Sequence, residues 1–327
     1  NLGIALKDSG ALDEAERCYR KAITLRSTSA DTHNNLGVVL KQLGRFDEAE
    51  ESYGQAIAIE PMHLDALMNR WQLLFEKGEL EAALKDSDIC NNSISRPRSL
   101  ATLYALRRID EIYYRFKVQP EEDKTNLDIA AFSAFISHIT QKDTLHNFCN
   151  NPFDYIYSSN ISSHQEDPVK FISDTVEELS GTEMIWEPRQ KTTRKGFQTP
   201  VNNNLLAQSS PKIAYLKSII CNELDAYYKK FHKESCSYIQ NWPQKMNLFG
   251  WQVILGKEGY QMPHIHSNGW LSGVIYLKVV PSLGRNEGAI EFSLNGIHYS
   301  DESSPTIIFQ PKLGDIVLFP SSLYHRT

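Results

Sequence analysis

Residues 1–24 read NLGIALKDSGALDEAERCYRKAIT, and residues 35–58 read NLGVVLKQLGRFDEAEESYGQAIA. The second stretch repeats the first at an offset of 34 residues, and Asp-Glu-Ala-Glu stands at 13–16 and again at 47–50. A weaker third copy keeps the offset, because Gly44 is followed by Gly78 and Ala49 by Ala83. A fixed period of this length indicates stacked copies of one supersecondary unit and argues against an arbitrary helical bundle.

The repeated positions suit a pair of antiparallel helices. Small residues at Gly3 and Ala15 let the helices approach closely, while Leu6 and Tyr19 fill the space between them. The stretch resembles the tetratricopeptide repeat, with Pro61 where that family ends a repeat. The resemblance implies an N-terminal α-solenoid over residues 1–92 that binds a protein or peptide on its concave surface.

Residues on the first helix of each pair are expected to face this concave surface. They include Asn35, Val39 and Asn69, and the side-chain amides of the two asparagines could hydrogen-bond a peptide backbone. A homodimer formed through the repeats is the alternative role.

The chain changes character after the repeats. Residues 93–150 keep a helical period and are predicted to form a capping and linking region, with a domain boundary near residue 150. A long helix is predicted over residues 211–231, with Pro211 in its first turn. After residue 245 the period becomes 2, and short strands are predicted at 247–255, 271–280, 289–294, 306–310 and 315–319. The fold class is therefore multidomain α + β, with a β-sandwich or barrel in residues 151–327.

Three histidines in the β-rich part form a candidate metal site. His264 and His266 are two residues apart, and residues i and i+2 of an extended backbone face the same side. His325 follows the strand predicted at 315–319, and a barrel can fold that strand against the first pair. Three ligands on one face of a metal leave open positions for substrates.

The sequence around these histidines resembles the 2-oxoglutarate-Fe(II) oxygenase superfamily, and it is closest to a branch often found behind tetratricopeptide repeats. The matching motifs are Trp251-Gln-Val253, His264-Ile-His266, Trp270-Leu-Ser-Gly-Val-Ile-Tyr-Leu277, Gly288-Ala-Ile-Glu-Phe292, Gly314-Asp315, Leu318-Phe-Pro-Ser321 and His325, preceded by Gly196-Phe-Gln-Thr199. The likeness covers residues 185–327. It implies a double-stranded β-helix (a cupin-like jelly roll) with flanking helices.

The resemblance implies that His264, His266 and His325 hold Fe(II), with 2-oxoglutarate as co-substrate. The implied reaction hydroxylates a C–H bond of a protein or peptide and releases succinate and CO2. At position 266 much of the superfamily has an aspartate, although the closest branch has histidine. A carboxylate from elsewhere is the alternative third ligand, and Glu291 and Asp301 are the nearest candidates in sequence.

The resemblance also indicates where the co-substrate binds. Tyr276 stands where related enzymes often have a tyrosine that contacts the co-substrate. The alternative interpretation is that its aromatic ring fills the barrel. The superfamily holds the far carboxylate with an Arg or Lys shortly after the distal histidine, whereas this sequence ends two residues after His325. We therefore expect that residue beyond Thr327, with Arg285 and Arg326 as possible substitutes. Because the sequence begins inside a repeat, the question whether a targeting segment precedes Asn1 stays open.

The composition narrows the setting of the protein. Its 41% hydrophobic and 23% charged residues are ordinary for a soluble chain, and its net charge of −6 argues against a nucleic-acid partner. No apolar run approaches the roughly 18 residues that a membrane span needs. Five scattered cysteines without a CxxC pair favour reduced thiols and a cytoplasmic protein.

Two rival functions remain open at this point. The barrel could be an inactive part of a tetratricopeptide scaffold. It could also be a three-histidine cupin-type dioxygenase that oxidises a thiol or diketone without 2-oxoglutarate. Dependence on 2-oxoglutarate separates the three hypotheses.

Overall fold

The computed structural model describes residues 2–26, 28–189, 191–200, 202–281, 284 and 286–327. Asn1 and Arg285, both named above, lie outside the described residues. The chain packs as two compact units, Asn1–Arg115 and Phe116–Thr327. This division lies well ahead of the boundary predicted near residue 150.

Helices account for the N-terminal part. They are α1 (Leu2–Ser9), α2 (Leu12–Leu25), α3 (Ala30–Gln42), α4 (Phe46–Ile59), α5 (Leu64–Lys77), α6 (Leu80–Cys90), α7 (Arg96–Ala105) and α8 (Ile109–Lys117).

Equivalent contacts recur in the first two helix pairs. Gly3 lies against the ring of Tyr19 in the first pair, and Gly37 lies against the ring of Tyr53 in the second. Leu36, Val39 and Tyr53 are buried in one core together with residues of the first pair. The predicted tetratricopeptide-like helical solenoid is thereby confirmed.

Two of the three side chains expected to face a ligand make contacts within the repeats instead. Val39 is completely buried in the repeat core, so the prediction that it faces a ligand is wrong. Asn69 donates its Nδ2–H to Oδ1 of the buried Asn34 at 2.9 Å, which links two neighbouring helix pairs. Asn35 is partly exposed.

The helical region predicted as a cap is shared between the two units. Helix α7 belongs to the first unit, where the indole N–H of Trp71 donates to Thr102 Oγ1 at 3.0 Å. Helix α9 (Leu127–Thr140) belongs to the second unit, because Leu127 is buried in the same core as Ile316. An apolar helix near the boundary can be buried against either unit, and its period does not tell which.

The second unit combines helices with short strands. After α9 come α10 (Pro168–Leu179), α11 (Pro211–Phe231) and α12 (Ser237–Gln240). The strands are β1 (Tyr157–Asn160), β2 (Ile185–Trp186), β3 (Thr193–Gln198), β4 (Val253–Gln261), β5 (Leu271–Ile275), β6 (Ile290–Ser293), β7 (Thr306–Phe309), β8 (Asp315–Pro320) and β9 (Tyr324–Arg326). Helix α11 has the predicted bounds, because the Ser210 side chain caps its first amides and Pro211 begins its first turn.

The described strands pair in three antiparallel sheets. Their orders are β1-β8-β5, β2-β3-β4 and β7-β6-β9. In the first sheet Ile275 stands opposite Ile316. Both side chains pack with Leu224 and Tyr227 of α11, which places the main core of this unit between the helix and the sheet.

Strand β4 differs from its predicted bounds of 247–255. It starts later and continues through Lys257-Glu258-Gly259, which the sequence predicts as a turn. The register between β3 and β4 shifts at this point, and Glu258 has a φ of 58°. The same residues therefore form an irregularity within a paired strand instead of a chain reversal.

Gly37 provides a test of the close helix contact. A Cβ at this position would lie 2.5 Å from the buried ring of Tyr53, whereas a Cβ on Gly54 would have only the end of Arg70 as a neighbour, at 3.7 Å. We expect Gly37→Ala to lower the free energy of unfolding by about 1–3 kcal/mol through overpacking. Gly54→Ala, also within a helix, should raise it by up to about 1 kcal/mol. Urea unfolding followed by circular dichroism measures both, and equal effects would contradict the assigned contact.

A buried histidine predicts how the second unit responds to acid. The ring of His146 is only 2% exposed, and its Nδ1–H donates to Gln119 Oε1 at 3.1 Å. Its Nε2 atom has no partner among the described residues. Burial therefore lowers the pKa of His146 from 6.5 to about 4.

Because the unfolded chain binds a proton at His146 at a higher pH than the folded chain does, the free energy of unfolding should fall as the pH drops from about 6.5 to about 4. Below about pH 4 it should level off. At pH 5 the loss from His146 should be about 2 kcal/mol. We expect His146→Gln to remove this part of the pH dependence, as measured by urea unfolding at pH 7 and pH 5. An unchanged difference between the two pH values would contradict the assignment.

Candidate metal centre

Backbone pairing brings two distant histidines side by side. The N–H of His264 donates to the carbonyl of His325 and the N–H of His325 to that of His264, each at 3.1 Å. The N–H of His266 donates to the carbonyl of Ser321 at 3.1 Å. The segment after β4 thus lies antiparallel to the segment around β9, and this pairing brings His325 beside His264.

The three imidazoles form one compact group. Their ring centroids are 5.0 Å apart for His264 and His266, 4.3 Å for His264 and His325, and 5.1 Å for His266 and His325. One nitrogen of each ring lies within 4.8 Å of the others. Within the described residues, these three side chains are the group of His, Cys, Asp or Glu residues that lies close enough together to share a metal ion.

Hydrogen bonds determine which ring nitrogen of His264 and of His325 is available to bind a metal. Nδ1 of His264 lies 2.8 Å from the carbonyl oxygen of Met262, and Nδ1 of His325 lies 3.1 Å from that of Leu323. A carbonyl can only accept, so each Nδ1 carries the proton and each Nε2 keeps its lone pair. This is the arrangement that orients histidine ligands on a metal.

The cluster is electrically neutral at pH 7. Burial, the largest cause, lowers the pKa of all three imidazoles, to about 4 for His266. His264 also lowers the pKa of His266, and both of these rings lower the pKa of His325. Neutral imidazoles are the form that binds metals.

The alternative ligands named in the sequence stand apart from the cluster. Phe292 is paired with His325 and Glu291 with Arg326, so Glu291 and Arg326 lie on the other face of the β6–β9 pair. There Arg326 donates to Glu291 at 2.8 Å. The Asp301 carboxylate accepts from the N–H and hydroxyl of Ser303.

Aromatic side chains lie next to two of the three histidines, His325 and His266. The ring of Phe319 lies 4.6 Å from that of His325, and Phe292 lies 4.9 Å from Phe319. Both phenylalanines are buried and close the His325 side. The ring of Trp251, which is 38% exposed, lies 5.3 Å from that of His266.

Tyr276 extends the pairing of β5 with β8. Its N–H donates to the carbonyl of Asp315, and Ser272 on the same strand stands opposite Phe319. Because alternate residues share a face, the side chains of Tyr276 and Phe319 lie on the same face of this sheet. The buried hydroxyl of Tyr276 has no partner among the described residues. Burial and the charge of Asp315 raise its pKa, so this hydroxyl is a donor at neutral pH.

A second buried polar atom was not predicted from the sequence. Oε1 of Gln252, next to Trp251, is also buried without a partner among the described residues. The Trp251-Gln252-Val253 motif contained this residue, but only the fold shows that its amide oxygen is enclosed.

Comparisons with known proteins agree with both parts of the chain. Residues 3–44 and 30–63 match family models described as "TPR repeat" and "Tetratricopeptide repeat". Residues 250–327 match the model of the family described as "Putative 2OG-Fe(II) oxygenase". The two resemblances stated from the sequence are therefore confirmed, and the histidine cluster lies within the second match.

Solved structures with similarity to the chain include YrrB, described as a TPR protein with an unusual peptide-binding site. It is 19% identical over 43% of this chain and 75% of its own, with a TM-score of 0.36. MamA from Desulfovibrio magneticus RS-1 is 12% identical over 45% and 85%, with a TM-score of 0.38. The first TPR of Spaghetti (RPAP3), bound to an HSP90 peptide, is 24% identical over 32% and 89%, with a TM-score of 0.31.

A comparison with curated proteins returned no match. Within the described residues, every helix is too short or too polar to cross a membrane.

Proposed function

We propose that the second unit is an Fe(II)- and 2-oxoglutarate-dependent dioxygenase that hydroxylates a C–H bond. The observation that carries this proposal is the convergence of three neutral imidazoles, two of them with Nδ1 bound to a backbone carbonyl. The family match over residues 250–327 supports it. The three antiparallel sheets are in keeping with the jelly-roll barrel of that superfamily, which we include in the proposal.

The residues present fit both groups. His264, His266 and His325 would hold Fe(II), with Nε2 of His264 and of His325 already free of protons. All three are neutral, so the protein leaves the metal charge uncompensated and favours a dianionic ligand such as 2-oxoglutarate. When bound together, Fe(II) and 2-oxoglutarate activate dioxygen for C–H hydroxylation, with succinate and CO2 as co-products.

The chain's own side chains would orient the co-substrate and exclude water. The buried hydroxyl of Tyr276 needs an acceptor, and a carboxylate of 2-oxoglutarate would supply one. Phe292 and Phe319 cover the His325 side, which keeps solvent from that part of the site.

The repeats support a protein or peptide as partner. Asn35 is a partly exposed polar side chain on a first helix of the solenoid, as a peptide-binding surface requires. We infer that the partner is also the substrate or delivers it, since both units belong to one chain.

Iron binding tests the ligand set. We expect His264→Ala and His325→Ala to bind Fe(II) more than about 100-fold more weakly, because each removes one of three ligands. His266→Ala should do the same, whereas His266→Asp should retain partial binding. The measurement is iron content after anaerobic reconstitution, with circular dichroism as a check on folding.

His232→Ala serves as the matched control, since His232 is exposed and bonded to the carbonyl of Lys229 in its own helix end. Normal iron content in both His264→Ala and His325→Ala would refute the metal site. Normal content in His266→Ala alone would mean that another group completes the ligand set.

Co-substrate binding tests Tyr276 and separates the rival functions. We expect Tyr276→Phe to keep its iron and to bind 2-oxoglutarate about tenfold more weakly, through loss of one hydrogen bond to a charged group. Anaerobic titration of the Fe(II)-loaded protein measures this. The control is Tyr215→Phe, which removes a surface hydroxyl bonded to the carbonyl of His164. Iron binding without any binding of 2-oxoglutarate would favour the dioxygenase that does not use it, and binding of neither would favour the scaffold.

A further inference from the structure

Two exposed aromatic side chains extend from the histidine cluster to the surface. The ring of Trp251 lies 5.3 Å from that of His266, and the ring of Phe249 lies 6.2 Å from that of Trp251. Trp251 is 38% exposed and Phe249 is 52% exposed. His264 and His266 are half-buried, whereas His325 is buried. The accessible part of the cluster therefore lies next to a pair of aromatic rings.

Hydrogen bonds hold the backbone that carries these two rings. The Asn204 side chain accepts from the N–H of Gly250 and donates to the carbonyl of Leu248, both at 2.9 Å. Two further bonds, of 2.9 and 3.1 Å, join Gln252 to Thr199. Each residue that flanks one of the rings is thus fixed, while the rings themselves stay exposed. Rings on a fixed backbone lose little conformational freedom when a ligand packs on them.

The indole N–H of Trp251 has no hydrogen-bond partner within the part of the chain that the structure describes. The indole N–H of Trp270, in contrast, donates to the carbonyl of Tyr238 at 3.0 Å. Trp251 can therefore contact a ligand in two ways, because its ring packs against an apolar group and its N–H donates to a carbonyl. A peptide offers both groups on one residue, the side chain and the main-chain carbonyl.

We propose that Trp251 and Phe249 bind an apolar side chain of a peptide substrate beside the histidine cluster. This rests on the proposed function and adds the substrate class, a peptide with an aliphatic or aromatic residue at or next to the C–H bond to be hydroxylated. The two exposed rings lose water when such a side chain packs on them, and this burial of apolar surface favours binding. The indole N–H of Trp251 would donate to a carbonyl of the peptide and so orient it.

Two neutral probes test the proposal on the full chain loaded with Mn(II) and 2-oxoglutarate. They are N-acetylleucinamide and N-acetylglycinamide, which differ only in the apolar side chain. The paramagnetic ion broadens the acetyl proton resonance of a probe that binds near it, and we expect the leucine probe to be broadened more. In Trp251→Ala the apparent affinity for the leucine probe should fall roughly three- to tenfold, because the contact with one apolar side chain is lost.

Trp186→Ala is the matched control for this substitution. Trp186 is 50% exposed on β2, and its ring contact among the described residues is with Phe197, at 4.8 Å. The variant removes an equally exposed tryptophan from another aromatic pair, so it should behave as the unaltered protein. Phe249→Ala should lower the affinity for the leucine probe by about two- to threefold. It decides the outcome if Trp251→Ala loses Mn(II).

Three results would overturn the proposal. Equal broadening of the two probes by the unaltered protein would show that no apolar side chain binds near the cluster. An unchanged affinity for the leucine probe in both Trp251→Ala and Phe249→Ala would show that it binds elsewhere. A loss of 2-oxoglutarate affinity in Trp251→Ala, with the leucine probe unaffected, would mean that Trp251 serves the co-substrate.

Mn(II) binding, measured beforehand by electron paramagnetic resonance, separates this inference from the proposed function. Failure of the unaltered protein to bind Mn(II) would remove both together. Retained Mn(II) with no difference between the probes would remove the inference alone.

Discussion

The reciprocal pair of backbone hydrogen bonds between His264 and His325 is the constraint on which the site depends. Each of these histidines also bonds through Nδ1 to the carbonyl two residues before it, so the backbone sets the direction of each Nε2 atom. Further contacts hold the two segments in place. Gln261 donates its N–H to the carbonyl of Thr327, and β6 pairs with β9 on its other side. The position of the nitrogens is thus fixed by main-chain pairing, with few flexible side-chain torsions involved.

Local signals predicted much of the helical fold. The period of 34 residues, the small residues at Gly3 and Ala15, and Pro211 in the first turn of a helix all act within or between adjacent helices. The predictions that differ from the structure concern long-range packing. An apolar helix such as α9 does not encode which unit will bury it, and residues 257–259 have the composition of a turn whether or not a partner strand is present.

The candidate site was predictable to a similar degree. The i, i+2 spacing of His264 and His266 is a local feature, and the position of His325 after a predicted strand completed the group. The family resemblance added Tyr276. The sequence did not indicate that the hydroxyl of Tyr276 and the amide oxygen of Gln252 are buried without a partner among the described residues. Both residues belong to motifs of the family resemblance, but the burial of these atoms arises from pairing between segments far apart in the chain.

The histidine at position 266 has a consequence for charge in the proposed site. An aspartate at 266 would offset one of the two positive charges of a bound divalent metal. Burial lowers the pKa of His266, so its neutral imidazole would offset neither charge. A dianion such as the proposed co-substrate would neutralise both charges, so the third imidazole and a dianionic co-substrate are two aspects of the same electrostatic arrangement.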